Sequence, residues 1–193
     1  MRLSVLVAAL VVVSCSMVAN ASIIGVTAAD DGSGAFVCTS WDFVRPDSMY
    51  ISGDQHRVNG HVLGAVTTDT PEDPIIWVRN TVGNDMAFNW TDFHIEVTMD
   101  KVFSILATGA PTNWTTVVTA PALQLDGTYL GKIDYYQSTG SPIAIGDDGE
   151  FDYKLSFAGS IAYNQQMTPT PEPLTAVLLA GGALVTLLRR RRG

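Results

Sequence analysis

Cysteine is nearly absent: 193 residues contain only Cys15 and Cys38, too few for the disulfide framework that staples small secreted domains. If Cys15 leaves with an N-terminal leader, Cys38 stands alone, no intrachain disulfide forms, and the fold must hold by its core. Beside Phe36, Val37 and Trp41, Cys38 reads as a small buried apolar residue rather than a nucleophile, since no His or Asn motif accompanies it. Histidine is equally sparse. His56, His61 and His94 are the three in the chain, and their spacing matches no zinc pattern, although Asp54 with His56 and His61 offers one loop arrangement for a metal. A Gly-x-Ser-x-Gly elbow is missing, which removes that route to acyl transfer. No interior stretch has a helical period, and no internal repeat of useful length is present.

Basic residues are scarce where they would matter. Of eleven Lys and Arg, Arg2 and Arg189 to Arg192 lie at the two ends, so the interior from Ser22 to Thr168 holds six cations against eighteen acids, a balance of −12. Such a field disfavours nucleic acid and anionic membrane as partners. It suits a soluble extracellular domain, with divalent cations such as calcium as candidate ligands and no other cofactor implied. That interior has the length of one domain.

The two ends carry addresses. Met1-Arg2, the apolar run Leu3 to Val13 broken only by Ser4, and Ala19-Asn20-Ala21 form a secretory signal peptide over residues 1–21, with cleavage after Ala21 and Ser22 as first mature residue. The run is too short for a transmembrane anchor. Val12-Val13-Ser14-Cys15 loosely fits a lipobox, so lipoprotein processing at Cys15 is the rival. At the other end Pro169, Pro171 and Pro173 predict a stiff, non-helical stalk over 168–173. Leu174 to Leu188 is free of charge, and a helix of that length spans about 22 Å at ~1.5 Å per residue, short of the ~30 Å hydrocarbon core unless the bilayer thins and arginine stems snorkel. Arg189, Arg190, Arg191 and Arg192 then act as a cytoplasmic stop. Gly181, Gly182 and alanines 176, 180 and 183 give the helix a small-residue face for another helix or a membrane enzyme.

The order Pro171-Glu172-Pro173, apolar span, terminal arginine cluster resembles the PEP-CTERM sorting signal of bacterial surface and secreted proteins, over residues 169–193. The resemblance implies that the chain is exported through the inner membrane, held there by its C-terminal helix, and processed near the motif by an exosortase, an integral-membrane cysteine protease. Pro171, Glu172 and Pro173 are then a substrate's recognition residues, not catalytic ones. The family's link to exopolysaccharide and biofilm places the mature protein at the cell surface or in the extracellular matrix.

Between the ends, residues 22–168 read as β throughout. Phe93, Ile95, Val97 and Met99 alternate with His94, Glu96, Thr98 and Asp100, and Phe151, Tyr153, Leu155 and Phe157 alternate with Asp152, Lys154, Ser156 and Ala158. Further strands are expected over 35–43, 61–67, 75–82, 102–108, 115–120 and 129–136, the last strand of all running near Phe151 to Tyr163 and feeding into the stalk. Turn signals at Arg45-Pro46-Asp47, Asn59-Gly60, Gly83-Asn84-Asp85, Asp126-Gly127 and 146–149 separate them. This spacing predicts an all-β, antiparallel β-sandwich, Ig-like or jelly-roll.

Each candidate site in the interior has a plain alternative. Asp30-Asp31-Gly32-Ser33-Gly34 and Asp147-Asp148-Gly149-Glu150 gather carboxylates in glycine loops, as calcium sites do, but without the ligand order of an EF-hand or an RTX nonapeptide, so solvated turns are the favoured reading. Trp41, Trp77, Trp90, Trp114 and Tyr135-Tyr136 are either core packing or a flat face for a sugar ring. Adjacent tyrosines on a strand point to opposite faces, so one of that pair is expected outside. Asn89-Trp90-Thr91 and Asn113-Trp114-Thr115 match glycosylation acceptors by chance in a bacterial exporter. Three functions stand: a noncatalytic surface or matrix protein, a carbohydrate-binding module of the extracellular polysaccharide, and a glycan-active enzyme, which needs a cleft with convergent acids or histidines.

Overall fold

The computed structural model describes residues 21–171. The expected signal peptide up to Asn20, with Cys15 and Ala19, and Glu172, Pro173, the apolar span 174–188 and Arg189 to Arg192 lie outside the described residues. Within them the chain forms eleven strands: β1 (Ile23–Asp30), β2 (Phe36–Val44), β3 (Ser48–Gln55), β4 (Gly60–Thr68), β5 (Ile75–Asn84), β6 (Trp90–Met99), β7 (Phe103–Gly109), β8 (Trp114–Leu123), β9 (Tyr129–Gln137), β10 (Asp148–Phe157) and β11 (Ile161–Pro171). They build a six-stranded sheet in the order β1-β4-β11-β6-β9-β8 and a five-stranded sheet in the order β2-β3-β5-β10-β7. The all-β expectation and the sandwich-like arrangement are therefore observed.

Period-two patterning explains the layering. Phe93, Ile95, Val97 and Met99 of β6 and Phe151, Tyr153, Leu155 and Phe157 of β10 all face inward and are buried. They meet in one continuous core with Phe36, Met49, Ile51, Val62, Ile76, Val78 and Ile133. Its aromatic centre is Phe151, stacked on Phe93 at 3.9 Å between centroids and met edge-on by Tyr135 at 5.1 Å and Trp114 at 6.0 Å. Trp90 closes one side at 5.3 Å from Phe93.

Four expectations are corrected. The sheets are not wholly antiparallel: β3 and β5 pair in parallel from Ser48–Trp77 to Gln55–Asn84, because β4 between them crosses to the other sheet. Strands β1 and β3 occupy stretches not read as strands. The long last strand is two strands in opposite sheets, β10 and β11, turned about Gly159 at φ +61°. Finally, residues 168–171 are not a free stalk. Thr168, Pro169, Thr170 and Pro171 continue β11 and pair with His94, Phe93, Asp92 and Trp90 of β6. Pairing of β11 with β4 ends at Met167–Gly60, so both prolines sit where the strand has a ladder partner on one side only, the setting in which strand proline is tolerated.

Candidate functional site

The outer face of the five-stranded sheet carries the most varied chemistry. Register places Trp77 of β5 between Ser48 of β3 and Lys154 of β10, Arg79 between Tyr50 and Asp152, and Gly83 between Asp54 and Asp148. Since Ile76, Val78 and Val82 face the core, their neighbours Trp77, Arg79 and Thr81 must face out. The Arg79 guanidinium lies 5.3 Å from the Trp77 ring centroid and 5.7 Å from that of Tyr50, and Lys154 Nζ lies 5.5 Å from Trp77. Arg79 Nη1 also donates to Asp152 Oδ2 at 3.2 Å. Burial pushes the Asp152 carboxyl above its ordinary range, against the opposing pull of Arg79.

Lys154 also reaches a cleft of about 460 Å³ at the end of this face, walled by Ser22, Ile23, Arg45, Pro46, Asp47 and Ile75. Arg45 Nη2 donates to the Ile24 carbonyl at 3.3 Å. Among the described residues, no carboxylate oxygen lies within 4.0 Å of the Arg45 or Lys154 charge, whereas Arg79 and Lys132 are paired.

At the opposite end of the same face Asp54 and Asp148 flank Gly83, where a Cβ would meet the Oδ1 atoms of both. Two acidic stretches distant in sequence thus come together. The metal arrangement of Asp54, His56 and His61 does not form: His56 Nδ1 lies 3.6 Å from Asp85 Oδ2, and His61 Nδ1 3.1 Å from Asn164 Oδ1 on the other sheet. In the 30–34 loop, Asp30 Oδ1 accepts from Gly32 N–H and Asp31 Oδ1 from Ser33 N–H, both at 2.9 Å, so these carboxylates cap their own turn. The Ser33 bonds hold Asp31 below the usual carboxylate range. Among the described residues, no three His, Cys, Asp or Glu side chains converge on one point. Asp148, Gly149 and Glu150 belong to β10 rather than to a loop.

The outer face of the six-stranded sheet carries polar pairs along β6 and β9, with Leu63 of β4 and Val117 of β8 exposed to either side. His94 Nδ1 and Asp134 Oδ1 lie 2.7 Å apart across β6 and β9, and Lys132 pairs with Glu96 on the next rung. Asn59, Gln166 and Thr168 line a groove beside them, with Asn59 Oδ1 accepting from Gln166 and Thr168.

The four tryptophans divide. Trp90 and Trp114 are core residues, while Trp77 lies on the outer face and Trp41 is 43 % exposed on edge strand β2. Of the tyrosine pair, Tyr135 is buried and Tyr136 turns outward. Cys38 is part-buried against the core, and burial followed by the nearby Asp30 charge pushes its thiol up, away from the thiolate.

Sequence reasoning missed a buried amide network. Gln55, Asn80, Asn84 and Gln165 are at most 1 % exposed. Tyr153 donates its phenol hydrogen to Gln165 Oε1, Gln165 Nε2 donates to Asn80 Oδ1 at 2.9 Å, and Asn80 Nδ2 donates to the Phe151 carbonyl at 2.7 Å. The only available signal was the phase of β5, in which Asn80 and Asn84 fall on the inward positions. No family model, curated protein or solved structure matches the chain.

Proposed function

We propose that this chain is an exported, noncatalytic cell-surface or matrix protein, sorted by an exosortase through its C-terminal signal. One observation carries the reading: the tail has three parts in sequence, Pro171-Glu172-Pro173, an apolar span and Arg189 to Arg192, and its first residue, Pro171, belongs to β11. The domain thereby abuts the motif without an intervening linker. The noncatalytic part is supported by the dispersal of the three histidines onto separate partners, Asp85, Asn164 and Asp134. Eight of ten strand-to-strand connections pass between the sheets, which favours a jelly-roll over an Ig-like course. The test replaces Pro171-Glu172-Pro173 by Ala-Ala-Ala and follows retention, processing and folding. Altered processing with a folded domain is expected; processing and localisation identical to wild type would remove the sorting claim.

A second reading, a carbohydrate-binding module, is favoured by Trp77 and Tyr50 standing on one solvent-facing sheet surface. Rings of this kind stack on the apolar faces of sugars.

A further inference from the structure

We propose that the cleft between Arg45 and Lys154, with Trp77 beside it, binds a carboxylated saccharide of the uronate type. The inference rests on the carbohydrate-binding reading and adds the ligand's charge and place. The interior has only six cations among eighteen acids, and two of the six line a single cleft. Neither has a carboxylate within 4.0 Å among the described residues; Arg57 and Lys101 share that property, but Arg45 and Lys154 are the two that line one cleft. In a domain so acidic, a polyanion is repelled from most of the surface and finds positive potential only where cations remain unneutralised.

The geometry suits a sugar acid better than a simple anion. Arg45 offers a planar fork of donors, of which one Nη is held by the Ile24 carbonyl at 3.3 Å, and such forks match carboxylates. Lys154 connects the two parts, lining the cleft while its ammonium sits 5.5 Å from the Trp77 ring. Lys154 is the cation shared by the cleft and the Trp77 ring, so a pyranose at that end of the cleft has its carboxylate beside Lys154. Asp47, the one acid in the wall, has its Oδ1 bonded to Ser48 Oγ at 3.3 Å, and its second oxygen is an acceptor for a sugar hydroxyl. The volume of about 460 Å³ falls in the ~300–1,000 Å³ range of small-ligand sites.

The test is calorimetric titration of the purified full chain with galacturonate hexamers, the same hexamers fully methyl-esterified, maltohexaose, and dextran sulfate. We expect the free acid to bind, added salt to weaken it, and esterification, Arg45→Gln or Lys154→Gln each to weaken it roughly tenfold. Trp77→Ala should also weaken it, whereas Arg57→Gln, on a cation away from the cleft, should not. Equal binding of the esterified or neutral hexamers, with Arg45→Gln and Lys154→Gln unchanged, would keep the carbohydrate reading and overturn the acidic one. Absence of binding by any saccharide would overturn both. Dextran sulfate binding as tightly as the uronate, indifferent to Trp77→Ala, would reduce the site to nonspecific charge attraction and overturn the proposal. Circular dichroism of each variant checks that these surface changes leave the fold intact.

Discussion

Replacing Gln165 by Leu should be the most informative single change in the interior. Gln165 sits in β11, with β4 and β6 on either side in the six-stranded sheet, and its side chain meets Tyr153 and Asn80 of the opposite sheet. Leucine has similar volume, so cavity formation contributes little. It leaves the Tyr153 hydroxyl and the Asn80 carbonyl oxygen buried without a partner, at ~1–3 kcal/mol each, offset by roughly 1 kcal/mol from burying a more apolar side chain. The expected net loss is about 1–5 kcal/mol, read as a lowered urea midpoint at unchanged slope. Adding Tyr153→Phe to Gln165→Leu removes one orphan, so the double variant should recover about 1 kcal/mol and give a non-additive cycle. A Gln165→Leu protein within ~0.5 kcal/mol of wild type, or strict additivity with Tyr153→Phe, would refute the argument that this network joins the sheets.

Three further outcomes are expected. Gly64→Ala places a methyl group into the buried Tyr163 ring and should cost about 1–3 kcal/mol in the same unfolding assay. For Asp152, the carboxyl's raised value means that the folded state holds the proton more tightly than the unfolded state. Its contribution is thus present below the ordinary value of 3.8 and lost as pH rises through the raised one, so wild-type stability relative to Asp152→Asn should fall across that window and level off above it. Cys38, with its thiol pushed up by burial and Asp30, should react with iodoacetamide at pH 8 more slowly in the folded protein than in urea; equal rates would contradict its part-buried, protonated state.

Strands whose inward residues are uniformly apolar were legible. β6 and β10 are read directly, because Phe93 to Met99 and Phe151 to Phe157 alternate without interruption. β3 was not, since its inward positions are Met49, Ile51, Gly53 and Gln55, and the last two carry no hydrophobic signal. Gly53 is required there by close approach, its missing Cβ leaving room for the Phe36 ring. β1 is weakened as a signal by Gly25, Ala28 and Ala29. The turn at Ala158-Gly159-Ser160 is short enough that β10 and β11 read as one strand. In the tail end of β11, proline pointed to a stalk because its lack of an N–H is a local property, whereas the end of β4 at Gly60 is set by the topology. The candidate faces were visible only as residue types. That Trp77 turns outward and Trp90 inward follows from strand phase, and the meeting of Asp54 with Asp148, or of Arg45 with Lys154, follows from strand order.

The sorting claim is tested most directly by intact mass and fractionation of the protein from its native cells, with and without the candidate membrane protease. The account predicts a mature form beginning at Ser22, lacking Arg189 to Arg192, and found outside the cell only when the protease is present. A chain still carrying those arginines and held in the membrane whether or not the protease is there would contradict it.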